Sequence, residues 1–158
     1  MLPSAETPAH TEGREGFYHV TELGGSVEEA ELTLIIRDHS AAFFDARINT
    51  VKMIAKVLNG KYGEGTVTLD VKEQYRNMLE KIQPVMQLIT NARAAIRDAG
   101  MTPSENPVRG GTDGARLSFR GLPCPNLGTG GYAFHGPYEH ITAEGMDKVV
   151  EVLLGLIS

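Results

Sequence analysis

Residues 130–140, GGYAFHGPYEH, bring two histidines and a glutamate together directly after a glycine pair. His135, Glu139 and His140 are side chains of the kinds that hold zinc, and a catalytic zinc takes about three protein ligands with one position left open. Their spacing does not converge them, because none is expected on a regular element that would aim two of them at one centre. The other histidines, His10, His19 and His39, are scattered through the first part of the sequence. A histidine in a glycine-rich loop, taken by itself, is more often a surface residue than a ligand.

A second candidate is VRGGTDGARLSF, residues 108–119. Glycines followed by Thr112 and Asp113 at a helix start expose backbone N–H groups, and with the positive end of the helix dipole these can receive an anion. Arg109 stands beside them. No P-loop lysine follows, so a carboxylate suits this stretch at least as well as a phosphate. The plainer reading is a tight turn, an ordinary N-cap and a solvated arginine. Arg37 and Asn77 each follow an expected strand, where a polar side chain either reaches beyond the sheet edge or is simply solvated. Cys124, between two prolines in a short apolar stretch, reads as a small core residue, since no histidine base adjoins it in sequence.

The elements that must position these residues fall into two halves. Phe17 to Leu23 suits a strand, Gly24-Gly25 a turn, and Ala30, Leu32, Leu34 and Ile36 alternate as in a second strand, giving a β-hairpin. Ser40 caps a helix whose apolar positions Phe44, Ile48, Val51, Ile54, Ala55 and Leu58 recur at helical spacing, with Gly60 just past its end. Gly65 to Tyr75 returns to period two through Val67, Leu69 and Val71. The first half is thus expected to be ββαβ, an antiparallel sheet with one face covered by a helix. After a boundary near Tyr75 to Pro84 the pattern becomes α/β. A helix runs through Leu88, Ile89, Ala92, Ala95 and Ile96 to Gly100, and Thr112 or Asp113 opens a short helix ending at Gly121. CPNLG is expected as a buried strand, and Thr142 caps a last helix with the face Met146, Val149, Val150, Leu153, Leu156 and Ile157.

Composition narrows the partners. A net charge of -5 over 158 residues, with no basic run interleaved with aromatics, argues against nucleic acid. The longest apolar stretch, Val149 to Ile157, is interrupted by Glu151 and is far too short to span a bilayer, so it reads as a buried helix and no membrane is implied. One cysteine allows no internal disulfide, and Met1 to Gly16 carries Glu6, Glu12 and Glu15 without the apolar core of a targeting peptide. These features fit a cytoplasmic protein.

Five segments are familiar together: TEGREGFYH (11–19), IIRD (35–38), VRGGTDGA (108–115), LPCPNLGTGGY (122–132) and FHGPYEHIT (134–142). In their order and spacing they resemble peptidase T, the tripeptide aminopeptidase family of the di-zinc exopeptidase superfamily that also includes carboxypeptidase G and the succinyl-diaminopimelate desuccinylase. The resemblance implies the C-terminal portion of such an enzyme. Residues 1–76 would be most of an antiparallel lid or dimerisation domain, and residues 77–158 the last part of an α/β catalytic domain.

The resemblance also implies chemistry. In the family a pair of zinc ions activates a bridging water and polarises the scissile amide, while a carboxylate carries the proton to the leaving amine. His135 matches a family zinc ligand, and Arg37, Asn77, Arg109, Gly110, Gly111, Thr112 and Asp113 match substrate-binding positions. Short peptides are the implied substrate and a homodimer through the lid the implied assembly. The remaining ligands and the general base belong to an upstream half, so no catalytic residue is assigned to this chain and the chain alone is expected to be inactive. The alternative is a non-catalytic dimerisation or peptide-binding module.

Overall fold

The computed structural model describes residues 1–74 and 76–158. An antiparallel strand pair, a run of helices, a second, shorter strand pair and a last helix follow one another along the chain, which divides into two units, Met1–Asn77 with Asn106–Gly111, and Met78–Glu105 with Thr112–Ser158.

In the first unit, β1 (Phe17–Gly25) and β2 (Ala30–Arg37) pair antiparallel, from Phe17 opposite Arg37 to Gly25 opposite Ala30. A bulge between Val20 and Glu22 sets Thr21 out of register. The turn lies beyond the expected glycine pair. Gly24 and Gly25 are the last paired residues of β1, and Ser26 closes the hairpin by donating its N–H to the Glu29 carbonyl and accepting from the Glu28 N–H at its hydroxyl.

Helix α1 (Ala41–Tyr62) begins where Ser40 accepts the Phe43 N–H and runs past Gly60 to Gly63, whose φ of +110° suits only glycine. Phe44 is buried, and Ile48, Val51, Ile54, Ala55 and Leu58 are half-buried, the expected stripe. Phe17, Tyr18 and Phe44 form the apolar centre of the unit. Removing one such ring from water contributes roughly 1.5–3 kcal/mol.

Beside that centre lies a charged cluster. Arg47 donates from Nε to Asp38 Oδ2 at 2.9 Å, pairs through Nη1 with Glu6, and stands over the Tyr18 ring at 5.2 Å. Burial works to lower the Arg47 pKa, but the hydrogen bonds to Asp38 and Glu6 outweigh it and the net shift is upward, so the charge is held. Asp38 also accepts the Ser40 N–H at 2.8 Å, which ties the cluster to the start of α1.

The strand expected over Gly65 to Tyr75 does not form: residues 66–74 have no strand partner, and Tyr75 lies outside the described residues. A helix side chain takes the partner's place. Asn59 accepts the Val67 N–H at 2.7 Å and donates to the Val67 carbonyl at 2.9 Å, the two bonds a neighbouring strand would have made.

The second unit holds α2 (Leu79–Ile82), a single 3-10 turn (Gln83–Val85), α3 (Gln87–Asp98), α4 (Asp113–Phe119), β3 (Gly131–Tyr132), β4 (His140–Ile141) and α5 (Ala143–Ile157). Pro84 lies in the 3-10 turn ahead of α3, so α3 opens later than the proline suggested. It packs on α5, with Ala95 buried; a β-carbon added at Gly155 would stand 3.5 Å from the Ala95 Cβ. Thr142 caps α5 by accepting the Gly145 N–H at 3.0 Å.

The face of α5 differs from the expected one. Val152 is buried and Gly145, Val149 and Leu156 are half-buried, whereas Met146, Val150, Leu153 and Ile157 are exposed. Outside the charged face of Glu144, Asp147, Lys148 and Glu151 the helix is apolar over a wide arc, and packing against α3 buries the side centred on Val152. Among the described residues no helix is long and apolar enough to cross a membrane.

CPNLG is not a strand. It runs irregularly against α4, where the Cys124 N–H donates to Ser118 Oγ at 2.9 Å, and Cys124 is half-buried. Gly114 permits this approach: a β-carbon there would stand 2.4 Å from the Cys124 carbonyl oxygen.

Candidate active-site residues

The histidine loop is set by the short β3–β4 pairing, which closes residues 133–139 between Tyr132 and His140. His140 therefore lies on a regular element after all. Its ring stacks on Tyr132 at 5.4 Å between centroids, and its Nδ1 lies 2.7 Å from the Tyr138 carbonyl. Since a carbonyl only accepts, Nδ1 carries the proton.

Inside the loop, Ala133 and His135 adopt φ of +54° and +63°. Two non-glycine residues in left-handed conformation within three positions cost on the order of 1 kcal/mol each and persist only where the surroundings impose them. Here the Glu139 carboxylate takes the His135 N–H at 3.0 Å. Glu139 is thereby engaged with the main chain of His135, and the His135 side chain is left exposed.

The described residues contain no group of three or more histidine, cysteine, aspartate or glutamate side chains able to hold a metal. By themselves they do not make a zinc centre. The His135 side chain is exposed, on a backbone of left-handed conformation beside the Glu139 carboxylate.

In the first unit Arg109 is far from solvated. Nη1 donates to the Thr11 carbonyl, and Nη2 donates to Thr11 Oγ1 and, at 3.5 Å, to the Glu15 carbonyl. The guanidinium carbon stands 4.8 Å from the centre of the Phe17 ring. Its Nε is buried without a hydrogen-bond partner among the described residues. Gly110 and Gly111 follow, both exposed.

Arg37 ends β2 and donates from Nη2 to Gln74 Oε1 at 3.0 Å and from Nη1 to the Ile36 carbonyl at 3.0 Å. It is held across the unit's surface, not simply solvated. Asn77 is exposed and follows no strand among the described residues, so the strand-end reason for selecting it falls.

In the second unit Thr112 is the N-cap of α4, accepting the Ala115 N–H, and Asp113 opens the helix. Thr112 Oγ1 also accepts from Asn126 Nδ2 at 3.2 Å, which links the glycine-threonine-aspartate turn to the CPNLG segment. The roles of Thr11, Phe17 and Asn126 are not visible in local spacing. Thr11 meets Arg109 across 98 positions of sequence, and no periodic signal reaches that far.

No family model matches the chain. Curated relatives do. Peptidase T of Halothermothrix orenii is 54% identical over 157 residues, covering 99% of this chain and 38% of the relative. Peptidase T of Alkaliphilus oremlandii is 52% identical over 157 residues, with the same shares covered, and that of Clostridium novyi is 51% identical. Over nearly its whole length this chain is similar to peptidase T. It spans about two fifths of the length of the peptidase T relatives it matches.

The crystal structure of aminopeptidase PepT from Bacillus cereus superposes with a TM-score of 0.58 at 19% identity, covering 99% of this chain and 41% of that one. The shared feature at that identity is the fold. Both the Arg109 turn and the His135 loop lie within the stretch that peptidase T relatives match, since nearly the whole chain is aligned.

Proposed function

We propose that this chain is the C-terminal part of a zinc-dependent aminopeptidase that releases the N-terminal residue from tripeptides in the cytoplasm. The observation that carries the reading is the 54% identity to a peptidase T over 157 residues. Residues 1–76 then belong to a lid through which two copies pair, and residues 77–158 to the catalytic domain.

His135 is the metal ligand contributed from this chain, the other ligands and the general base coming from the remainder of the enzyme. Bound zinc would supply an activated water and a polarised amide carbonyl. The work of this chain's other residues is to hold the peptide. Arg109 offers a fixed positive charge to a carboxylate, Gly110 and Gly111 let the substrate's backbone approach closely, and Thr112 and Asp113 order the start of α4. Arg37 and Asn77 supply further polar contacts to the peptide. The chain alone neither completes the metal centre nor cleaves peptides.

The test joins this chain to the upstream part of the Halothermothrix orenii relative and follows release of the N-terminal residue from a tripeptide with zinc present. The joined protein should be active, and His135→Ala should lower both zinc content and turnover by orders of magnitude, because a ligand sets both metal affinity and the polarity of bound water. Undiminished zinc and turnover in His135→Ala would remove the metal assignment. Cleavage by the 158-residue chain alone would remove the division of labour, and peptide binding without cleavage by the joined protein would favour the binding-module reading.

A further inference from the structure

We infer that Thr11 and Phe17 are positioning residues that hold the Arg109 guanidinium in one orientation for a carboxylate-bearing ligand. The inference rests on the reading of Arg109 as a substrate contact. A guanidinium presents two edges, an end-on fork of Nη1 and Nη2 and a side-on edge of Nη2 and Nε, and either can grip a planar acceptor. Here one residue takes the whole end-on fork: the Thr11 carbonyl accepts from Nη1 and the Thr11 hydroxyl from Nη2.

The hydroxyl is itself committed. It donates to the Thr7 carbonyl at 2.8 Å, which turns a lone pair toward Arg109 and strengthens the acceptor through the chain of hydrogen bonds. Phe17, 8% exposed, lies under the guanidinium plane and resists its rotation out of that plane.

What remains is the side-on edge. Nη2 reaches the Glu15 carbonyl only at 3.5 Å, and Nε has no partner among the described residues although it is buried. All the acceptors on Arg109 are neutral, and no carboxylate pairs with it among the described residues. A charged group fixed by neutral partners, with no carboxylate paired to it among the described residues, keeps its charge for an anionic group.

The experiment uses the 158-residue chain, side-chain nitrogen NMR of Arg109, and trialanine as the probe. In the wild type the two Nη groups should give separate signals, because the Thr11 fork hinders rotation, and trialanine should shift the Nε–H signal saturably. Thr11→Val keeps the shape and removes the hydroxyl. It should merge the Nη signals and weaken trialanine binding about ten-fold, the effect of one lost hydrogen bond to a charged group.

Thr11→Ser should restore both. Phe17→Leu, which keeps an apolar contact but no ring face, should also merge the signals, and supplies a second variant if Thr11→Val alters the backbone spectrum. Separate Nη signals and unchanged binding in both Thr11→Val and Phe17→Leu would overturn the positioning role while leaving Arg109 as a substrate contact. Absence of any trialanine-dependent shift at Nε in the wild type would instead overturn the substrate-contact reading, and the inference with it.

Discussion

Gly16 is where a single methyl group would test the packing of the first unit. A β-carbon there would stand 2.0 Å from Asp38 Oδ2 and 2.5 Å from Arg47 Nε, so Gly16→Ala must drive the two charged groups apart. The Asp38 side chain is only 4% exposed and that of Arg47 16%, so water does not replace what is lost. Removing one partner of a buried pair costs about 3–5 kcal/mol. Here Arg47 keeps Glu6 and Asp38 keeps the Ser40 N–H, so the cost falls to that of one charged hydrogen bond, about 2–3 kcal/mol.

That is a large share of the roughly 5–15 kcal/mol that holds a domain folded. The assay is urea unfolding followed by circular dichroism, with Gly24→Ala as the control. Gly24 has nothing within 4 Å of its would-be β-carbon and no positive φ, so alanine there should be neutral or slightly stabilising. A Gly16→Ala stability within about 0.5 kcal/mol of the control, the scatter of ordinary surface changes, would refute the argument that this glycine exists to admit the Asp38–Arg47 pair.

Gly114→Ala should destabilise the second unit by at least about 2 kcal/mol, because its methyl meets the Cys124 carbonyl oxygen and Asn126 Oδ1, the first of which is backbone and cannot swing away; thermal unfolding of the variant reads it. Asn59→Ala should cost about 1–2 kcal/mol and speed hydrogen exchange at the Val67 amide, since both main-chain groups of Val67 lose their partner. Thr112→Ala should cost about 1 kcal/mol as a lost N-cap, visible as faster amide exchange at Ala115. The 158-residue chain should associate at micromolar concentration through exposed apolar residues such as Met146, Val150, Leu153 and Ile157, and sedimentation showing a monomer throughout would contradict this.

Local rules written in the sequence decided much of the fold. Ser40, Thr112 and Thr142 cap the helices expected of them, because an N-cap needs only a hydroxyl within reach of amides two or three residues on. The stripe from Phe44 to Leu58 faces inward as its spacing requires, and the strands around residues 17 and 36 pair as a hairpin. The motifs shared with peptidase T were legible for the same reason that any contiguous segment is: they need no knowledge of what lies opposite.

What the tertiary structure alone decided is who meets whom across long separations. A strand is completed by its neighbour, so the alternation of Val67, Leu69 and Val71 looked like a strand until Asn59 supplied the partner's hydrogen bonds. A helix that is apolar over a wide arc leaves its inward side to packing, and on α5 the contact with α3 chose it. Arg109 read as a solvated arginine because Thr11, 98 positions away, is invisible to any local pattern; only folding brings that carbonyl and hydroxyl to one edge of the guanidinium and leaves the other edge unsatisfied.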